Sequence, residues 1–303
     1  MNKLDSSNID NIKVERSNNL ANNIVIIDGQ PGCGKTLFST IISSFKRVEI
    51  LNYAFDIEYI ARLFSINKIK EDAAISLILM FADLKLYQTM MGRETNFRYS
   101  DLSSVFRNPY PLRYFSRIFS KGDKNVPVKI KQDNPILSLT THNLLNYSEP
   151  VFKAFGSKLS FIEIVRHPLY MIKQQTINMR DLNAENPRDV NLYINYNGAS
   201  IPYYAIGWEQ KFLNSNIVEK AIYNIENIYK INKNKRNELN KNTSYKILTI
   251  PFEKFVVNPD DYLSNMINLL KTEFSSKTSK ILSKQKIPRN KIADGIDLPI
   301  YKR

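Results

Sequence analysis

The chain has 303 residues, of which 43% are hydrophobic and 24% are charged, a balance that is ordinary for a soluble globular protein. Its length suits one large α/β domain, with or without a helical insertion. The single cysteine, Cys33, excludes an intramolecular disulfide and indicates a reducing compartment. Residues 1–11 lack the apolar core of a signal peptide, and the longest apolar window, residues 73–84, is too short to span a membrane. We therefore expect a cytoplasmic protein.

The net charge of +14 comes from 43 basic and 29 acidic residues. A surface of this charge attracts polyanions such as nucleic acid, acidic polysaccharide or anionic headgroups. The same excess also arises when a lysine-rich composition occupies solvated faces. The net charge is the only feature of the sequence that indicates a nucleic-acid partner, so we do not expect the protein to bind nucleic acid.

The chain begins with residues 1–22, which are polar and rich in asparagine, and we expect a flexible tail there. A single domain should then cover residues 23–303. Its first element is a β-branched run, residues 24–27, with the pattern of a buried strand. This strand leads directly into Gly29-x-x-x-x-Gly34-Lys35-Thr36, the full spacing of a phosphate-binding P-loop.

The spacing of this loop has a physical reason. Glycines allow backbone dihedrals that point several N–H groups into one concavity. The positive end of the following helix lies at the same place, and Lys35 adds a full charge. The sequence therefore predicts an anion-binding loop, in which Cys33 is either a small filler or a redox-active residue.

Further elements follow the loop. We predict a second strand over residues 47–51 and two helices within residues 57–91, the second starting near Lys70. Residues 92–127 interleave aromatic and basic side chains around two prolines. This pattern is typical of a nucleic-acid or sugar site, or of a cap in which arginine stems cover aromatic rings. We predict the cap.

The second half of the chain alternates strands and helices. The predicted strands are residues 135–141, 159–165 and 246–250, and the predicted helices are residues 169–179, 207–213, 217–239 and 258–270. Between them, residues 181–206 are predicted to be a second cap insertion of irregular structure. Near the end, residues 277–291 hold six basic residues and no acidic one.

This alternation predicts an α/β three-layer sandwich of the P-loop nucleoside-triphosphate-hydrolase type, with a central, mostly parallel sheet and a helical, aromatic cap. In such sheets, ligand groups gather at the carboxyl ends of the strands. Lys35, His142 and Arg166 follow the first, third and fourth predicted strands. We therefore expect these three side chains at one edge of the sheet.

Together these segments resemble the sulfotransferase family, which uses 3′-phosphoadenosine-5′-phosphosulfate (PAPS) as donor. Residues 140–145, T-T-H-N-L-L, look like the family's catalytic-histidine segment. Residues 161–174 resemble its 3′-phosphate-binding strand, turn and helix, and residues 247–259 resemble a later strand, turn and helix. Residues 287–291 are a weaker match to a late basic loop. With the P-loop, these segments follow the family's order over residues 24–291.

Two positions depart from the family's pattern. Its loop usually reads P-[K/R]-S-G-T-[S/T], whereas residues 31–36 of this chain read P-G-C-G-K-T. Gly32 therefore stands at the usual basic position, and Lys35 stands where a threonine is usual. The helix serine that usually contacts the 3′-phosphate falls at Gln174.

The resemblance implies a sulfotransferase-type fold and transfer of a sulfuryl group from PAPS to a hydroxyl or amine acceptor, such as a carbohydrate or small alcohol. It implies His142 as base and Lys35 as the cation at the leaving phosphate, with no metal, because protein cations neutralise the donor. The implied donor-binding residues are Gln30, Pro31, Gly32, Cys33, Gly34, Lys35, Thr36, Leu37, Arg166, Gln174, Arg289 and Lys291.

A P-loop kinase acting on a small molecule or nucleotide is the alternative, because residues 29–36 also look like the loop of nucleotide kinases. A kinase needs Mg²⁺, held by Thr36 and usually by a carboxylate at a strand end. The strand ends offer His142 and Arg166 instead, and Asp56 is the nearest candidate carboxylate. The acceptor side stays open, because the aromatic residues between 193 and 208 suit either an acceptor pocket or packing.

Overall fold

A computed structural model describes residues 11–101 and 103–292 of the chain. The strands are Ile24–Asp28 (β1), Asn52–Tyr53 (β2), Leu137–Thr140 (β3), Leu159–Val165 (β4), Tyr193–Tyr196 (β5), Ala199–Pro202 (β6) and Lys246–Pro251 (β7). The α-helices are Lys35–Ile42 (α1), Phe55–Ser65 (α2), Glu71–Met91 (α3), Pro111–Ile118 (α4), Val126–Asp133 (α5), Glu149–Phe155 (α6), Leu169–Asp181 (α7), Glu209–Asn214 (α8), Ile217–Leu239 (α9), Phe252–Val257 (α10), Asp260–Leu270 (α11) and Thr278–Lys284 (α12).

Five strands form one parallel sheet in the order β2-β3-β1-β4-β7. β1 is central and buried along its whole length, as expected for a sheet that is covered on both faces. Helices α2, α3, α5 and α6 contribute to the apolar cluster on one face. Helices α1, α7, α9, α10, α11 and α12 contribute to the cluster on the other. The predicted α/β fold with a parallel central sheet is confirmed.

The second strand begins later than the sequence indicates. Residues 47–51 were expected to form it, but β2 covers Asn52–Tyr53 and Val48 makes only an isolated bridge to Ile136. The backbone N–H of Ile50 donates to the hydroxyl of Tyr114, at 2.7 Å, instead of to β3. The Tyr114 hydroxyl, which belongs to the cap, thus replaces a backbone carbonyl of β3 as the acceptor of this hydrogen bond.

The insertion at residues 181–206 is more regular than predicted. β5 and β6 form an antiparallel hairpin whose turn is Asn197-Gly198, with both residues at positive φ. Asn-Gly is the preferred pair for a two-residue hairpin turn, so the sequence did contain a signal for this element. Helices α4, α5, α6, α10 and α12 are also additions to the predicted set.

The described part of the predicted tail contacts the domain. The carboxylate of Asp83 accepts hydrogen bonds from the backbone N–H groups of Leu20 and Ala21, both at 2.8 Å, and pairs with Arg16. Asp83 lies on α3, the one described helix long and apolar enough by composition to cross a membrane. α3 packs within the domain against α2, α5 and α6, so its apolar composition is that of a core helix.

The first cap insertion is fixed to the sheet edge by a buried ion pair. Arg117 of α4 donates to both carboxylate oxygens of Glu49, at 2.7 and 2.9 Å, and both side chains are buried. Burial by itself would raise the pKa of Glu49. The hydrogen bonds and charge of Arg117, with the charge of Arg113, outweigh it and hold the pKa of Glu49 below its usual range.

We predict that Glu49→Gln lowers the free energy of unfolding by about 3 kcal/mol near neutral pH, because it leaves Arg117 buried without its counter-charge. A lowered folded-state pKa stabilises the fold above the unfolded pKa, about 4.3, and this contribution is lost as pH falls through the folded value. The gap between wild type and variant should therefore narrow in acid. Urea unfolding near neutral pH and near pH 3 measures it.

Glu273→Gln is the matched control, because Glu273 pairs with Lys46 on the surface and both side chains are mostly exposed. Its unfolding midpoint should stay close to that of the wild type. Equal stability of Glu49→Gln and wild type near neutral pH would contradict the role assigned to the buried pair.

Candidate functional site

The P-loop connects β1 to α1 and leaves a set of backbone donors at one point. Within the described residues, the N–H groups of Gly32, Gly34 and Thr36 donate to no backbone acceptor, whereas the N–H of Lys35 donates to the sulfur of Cys33. These groups precede or open α1, where a helix has no intrahelical partners for its N–H groups. The arrangement is that of an anion site at a helix N-terminus.

Gly34 is the residue that lets this loop close against the next part of the chain. Its φ is +100°, and a Cβ built there would lie 2.5 Å from the ring of Phe252. Phe252 follows β7, and the guanidinium of Arg166 lies 4.3 Å from its ring centroid. Phe252 thus packs between the P-loop and the arginine that follows β4.

Gly32 explains one departure from the family's loop. At φ +87°, a Cβ at this position would lie 3.1 Å from Cβ of Gln174, on α7. The carbonyl of Gly32 also accepts a hydrogen bond from Arg166, at 2.9 Å. Because α7 packs directly on the loop here, a basic side chain at this position would require α7 to shift by a few tenths of an ångström and would have to adopt a strained φ. Gln174 is therefore next to the loop, with its amide donating to Asn178 at 2.8 Å.

Lys35 is folded back onto its own loop. Its ammonium donates to the carbonyls of Gly29 and Gln30, at 2.6 and 3.1 Å, and the residue is 7% exposed. The charge is therefore at the loop, directed at carbonyl oxygens. These two bonds use two of the three N–H donors of the ammonium, which leaves one for an anion.

Other predicted loop residues direct their side chains into the protein. The amide of Gln30 bonds to Gln175 and to the carbonyl of Ile225. Cys33 and Leu37 are buried in the core, and burial raises the pKa of the Cys33 thiol. Their N–H groups donate to the carbonyls of Gln30 and Gly34, at 3.1 and 3.0 Å, and Pro31 has no N–H, so these three residues shape the loop without donating to an anion. A raised thiol pKa favours Cys33 as a filler over a redox role.

Asp28, the last residue of β1, ties the P-loop strand to the segment that carries His142. Its buried carboxylate accepts hydrogen bonds from the Thr141 hydroxyl at 2.9 Å and from the N–H groups of Leu144 and Leu145 at 3.0 and 2.9 Å. The turn that contains His142 is therefore held directly beside the start of the loop.

His142 rests on a second buried carboxylate, Glu58 of α2. Oε1 of Glu58 accepts from the backbone N–H of His142 at 2.7 Å and lies 3.3 Å from Nδ1 of its ring. Arg62 donates to the other oxygen of Glu58, at 2.9 Å, and to the carbonyl of His142, at 2.8 Å. With Nδ1 directed at a carboxylate, Nε2 is the nitrogen left to act as a base.

Aromatic rings surround the imidazole. The ring of Phe55 lies 5.4 Å from that of His142 at an interplanar angle of 5°, and Tyr53 lies 6.2 Å away at 16°. Tyr53 and Phe55 are 5.9 Å apart. The three centroid distances are similar, whereas in one linear stack the two end rings would be roughly twice as far apart as neighbouring rings. The three near-parallel rings therefore form a triangle of centroids and not a linear stack. All three are partly exposed.

The second cap insertion packs against α2, the helix that carries Glu58. The hydroxyl of Tyr59 donates to the carbonyl of Val190. The guanidinium of Arg62 lies 3.7 Å from the ring centroid of the buried Tyr203. Of the remaining aromatic residues in this stretch, Trp208 donates to the carbonyl of Tyr204 at 2.8 Å. This group therefore packs internally, and it is linked to His142 through Arg62, which contacts Tyr203 and donates to the carbonyl of His142.

The late basic segment reaches the donor side through one residue. Arg289 is buried, its N–H donates to the carbonyl of Val256 at 2.7 Å, and its guanidinium lies 5.6 Å from the Phe252 ring. Lys291 is exposed. Together with Lys35 and Arg166, Arg289 brings a third cation to the surroundings of Phe252.

The carboxylates near the loop are engaged by protein groups. Asp28 holds the His142 turn, and Glu163 pairs with Arg236 through both oxygens, at 2.7 and 2.9 Å. Asp56, the nearest candidate for a metal ligand from the sequence, pairs with Lys85 at 3.0 Å. Among the described residues, no cluster of three or more histidine, cysteine, aspartate and glutamate side chains is arranged to hold a metal ion.

Several residues of this site were not predicted, among them Asp28, Glu58 and Phe252 and, around His142, Tyr53, Phe55 and Arg62. Asp28 immediately precedes the P-loop at the end of an apolar strand, so the sequence alone could have indicated it as a site residue. Glu58 could not be found in this way, because its partner His142 is 84 residues away in the chain. Phe252 lies in a segment that the resemblance covers, but its contact with Gly34 is a tertiary feature.

No family model and no curated protein matches the chain. Among solved structures, it is similar to the sulfotransferase domain from the Synechococcus PCC 7002 olefin synthase, with 12% identity, TM-score 0.43, and 96% of this chain and 87% of that chain covered. It is also similar to the sulfotransferase domain from the curacin biosynthetic pathway, with 14% identity, TM-score 0.43, and 86% of this chain and 77% of that chain covered. The similarity to sulfotransferase STF9 from Mycobacterium avium has 10% identity and TM-score 0.42, and covers 92% of this chain and 69% of that chain.

Proposed function

We propose that the protein is a PAPS-dependent sulfotransferase that transfers a sulfuryl group to a hydroxyl or amine acceptor. The observation that carries this proposal is the grouping of three features at one edge of the sheet. These are a P-loop with unpaired N–H groups, Arg166 bonded to that loop, and His142 held beside it by Asp28. The same grouping was expected from the strand ends.

The donor side suits a nucleotide with two phosphate groups. The N–H groups of the loop and the Thr36 side chain would bind the 5′-phosphate end, with Lys35 as its cation. Arg166 would bind the 3′-phosphate, because its planar fork offers two parallel donors. Its buried Nε has no hydrogen-bond partner among the described residues, which leaves a donor for that group. Gln174 and Arg289 adjoin the same space.

The chemical step needs positioning, charge stabilisation and one proton acceptor. The acceptor oxygen would form a bond to sulfur while the bond from sulfur to the 5′-phosphate oxygen breaks. His142 would take the acceptor proton at Nε2, and Lys35 would stabilise the charge that grows on the phosphate oxygen. Glu58 would be a positioning residue, because it holds the imidazole through Nδ1 and through the backbone.

The acceptor side is aromatic. Tyr53 and Phe55 present partly exposed rings beside His142, and Tyr59 lies at the margin where the second insertion begins. Such rings pack against the apolar face of a sugar or of a small cyclic alcohol. We propose an acceptor of this kind, with its hydroxyl directed at His142.

The kinase alternative has one observation in its favour, the complete Walker-type spacing of residues 29–36. The carboxylates that would hold Mg²⁺ are engaged, since Asp28, Glu163 and Asp56 each bind protein groups. A basic residue at the γ-phosphate side would also be expected of a kinase, so Lys35 does not discriminate. Ligand binding separates the two functions.

We predict that adenosine 3′,5′-bisphosphate (PAP) raises the melting temperature of the protein without Mg²⁺, and more than adenosine 5′-monophosphate does at the same concentration. The reason is that the 3′-phosphate adds a charge-assisted contact with Arg166. Thermal unfolding with PAP, the monophosphate or ATP, each with and without Mg²⁺, is the measurement.

Arg166→Lys is the matched variant, because it keeps the charge but loses the fork. It should bring the shift with PAP close to the shift with the monophosphate. A shift that requires ATP together with Mg²⁺, and no response to PAP, would assign the kinase function instead.

We also predict that His142→Ala lowers turnover by about 10²-fold or more while the shift with PAP stays nearly unchanged, because a general base contributes to the chemical step and not to donor binding. Labelled PAPS, supplied with a panel of sugars and small alcohols, identifies an acceptor and measures turnover on it. The other histidine of the chain, His167, provides the control variant His167→Ala. Wild-type turnover in His142→Ala would remove His142 from the mechanism.

A further inference from the structure

Helix α4 in the first cap insertion is amphipathic, but its polar side faces the protein and its apolar side faces solvent. Its charged and hydrogen-bonded residues face the protein, where Arg117 is 4% exposed and Tyr114 is fully buried. Several apolar residues face solvent instead: Leu112 is 79% exposed and Phe119, directly after the helix, is 87% exposed, whereas Phe115 is partly buried. Surface helices of globular proteins normally have the opposite arrangement.

The exposed apolar surface extends beyond the helix. Phe115 of α4 packs 5.7 Å from Phe106, and Phe106 packs 5.5 Å from Tyr99, measured between ring centroids. Tyr99 is 74% exposed and Phe106 is 41% exposed. We call the set Tyr99, Phe106, Leu112, Phe115 and Phe119 the cap patch, because Leu112 and Phe119 lie three residues before and four residues after Phe115, on the same side of α4 and its end. Large contiguous apolar surfaces of this kind mark interaction sites.

The helix is held in this orientation from inside. Arg117 binds both oxygens of Glu49, and the hydroxyl of Tyr114 lies 3.1 Å from the same carboxylate and accepts from the Ile50 N–H. Rotating α4 to bury its apolar side would break the pair and leave two buried charges without partners, which is strongly unfavourable. The cap patch is therefore a fixed outer surface.

The charge around the cap patch indicates what covers it. Residues 92–127 contain seven basic and three acidic residues. Two of the acidic residues are engaged, because Asp101 pairs with Arg98 and Asp123 with Arg93. Arg107, Lys121 and Lys124 are exposed and adjoin the apolar side chains in the chain. A second copy would bring the same positive charges, and the whole chain carries +14, so self-association is disfavoured.

We propose that the cap patch docks the protein peripherally on a membrane that contains anionic phospholipids. The rings and Leu112 would enter the boundary between headgroups and acyl chains, and Arg107, Lys121 and Lys124 would contact the headgroups. Peripheral binding of this kind takes an apolar contribution together with a basic one, and the cap patch supplies both. The inference is independent of the reaction that the site catalyses.

The test is co-sedimentation of the full chain with vesicles of phosphatidylcholine alone and of phosphatidylcholine with phosphatidylserine. We expect binding to the mixed vesicles that weakens with added salt, and much weaker binding to phosphatidylcholine alone. The double variant Leu112→Ser, Phe119→Ser should bind the mixed vesicles at least about tenfold more weakly, because each buried apolar side chain contributes on this scale.

Val218→Ser is the matched control, since Val218 is an exposed apolar residue on α9, outside the cap patch. It should bind as the wild type does, and thermal unfolding checks that all variants are folded. Equal binding of the double variant and the wild type would overturn the proposal. So would vesicle-independent self-association, seen in sedimentation velocity and lost in the double variant, because the patch would then belong to a second copy of the chain.

Discussion

The arrangement of the site depends on one buried carboxylate, that of Asp28. β1 ends at this residue, the P-loop begins at the next, and the three hydrogen bonds that Asp28 accepts come from the turn after β3. A buried carboxylate is stable only if its oxygens are satisfied, so this turn must take one position relative to the loop. The carboxylate of Asp28 therefore sets the distance between the His142 turn and the P-loop.

Phe252 has the corresponding role on the other side. It contacts Gly34, and the guanidinium groups of Arg166 and Arg289 lie near its ring. An apolar ring can hold two cations near each other because its face carries negative charge. Both sides of the loop are therefore organised by residues that take no part in the proposed chemistry.

Much of the fold could be predicted because its signals are local. The bounds of β4 and α9 agree with the predicted ranges, since each is a periodic segment with clear ends. The late start of β2 could not be predicted, because it depends on the hydroxyl of Tyr114, more than 60 residues away in the chain. The same holds for the site: strand ends indicated Lys35, His142 and Arg166, whereas the Glu58 contact with His142 exists only after α2 packs beside the turn that follows β3.

The hydrogen bonds from Lys35 to the carbonyls of Gly29 and Gln30 have a consequence for selectivity. An incoming anion meets an ammonium with one donor left, and it gains the other two only by replacing the oxygens that already bind them. Full engagement of Lys35 is therefore an exchange, and its free energy is only the difference between the two states. A lone phosphate or sulfate would gain little from such an exchange. A ligand anchored elsewhere at the same time can complete it, which makes the loop respond to the length of its ligand as well as to its charge.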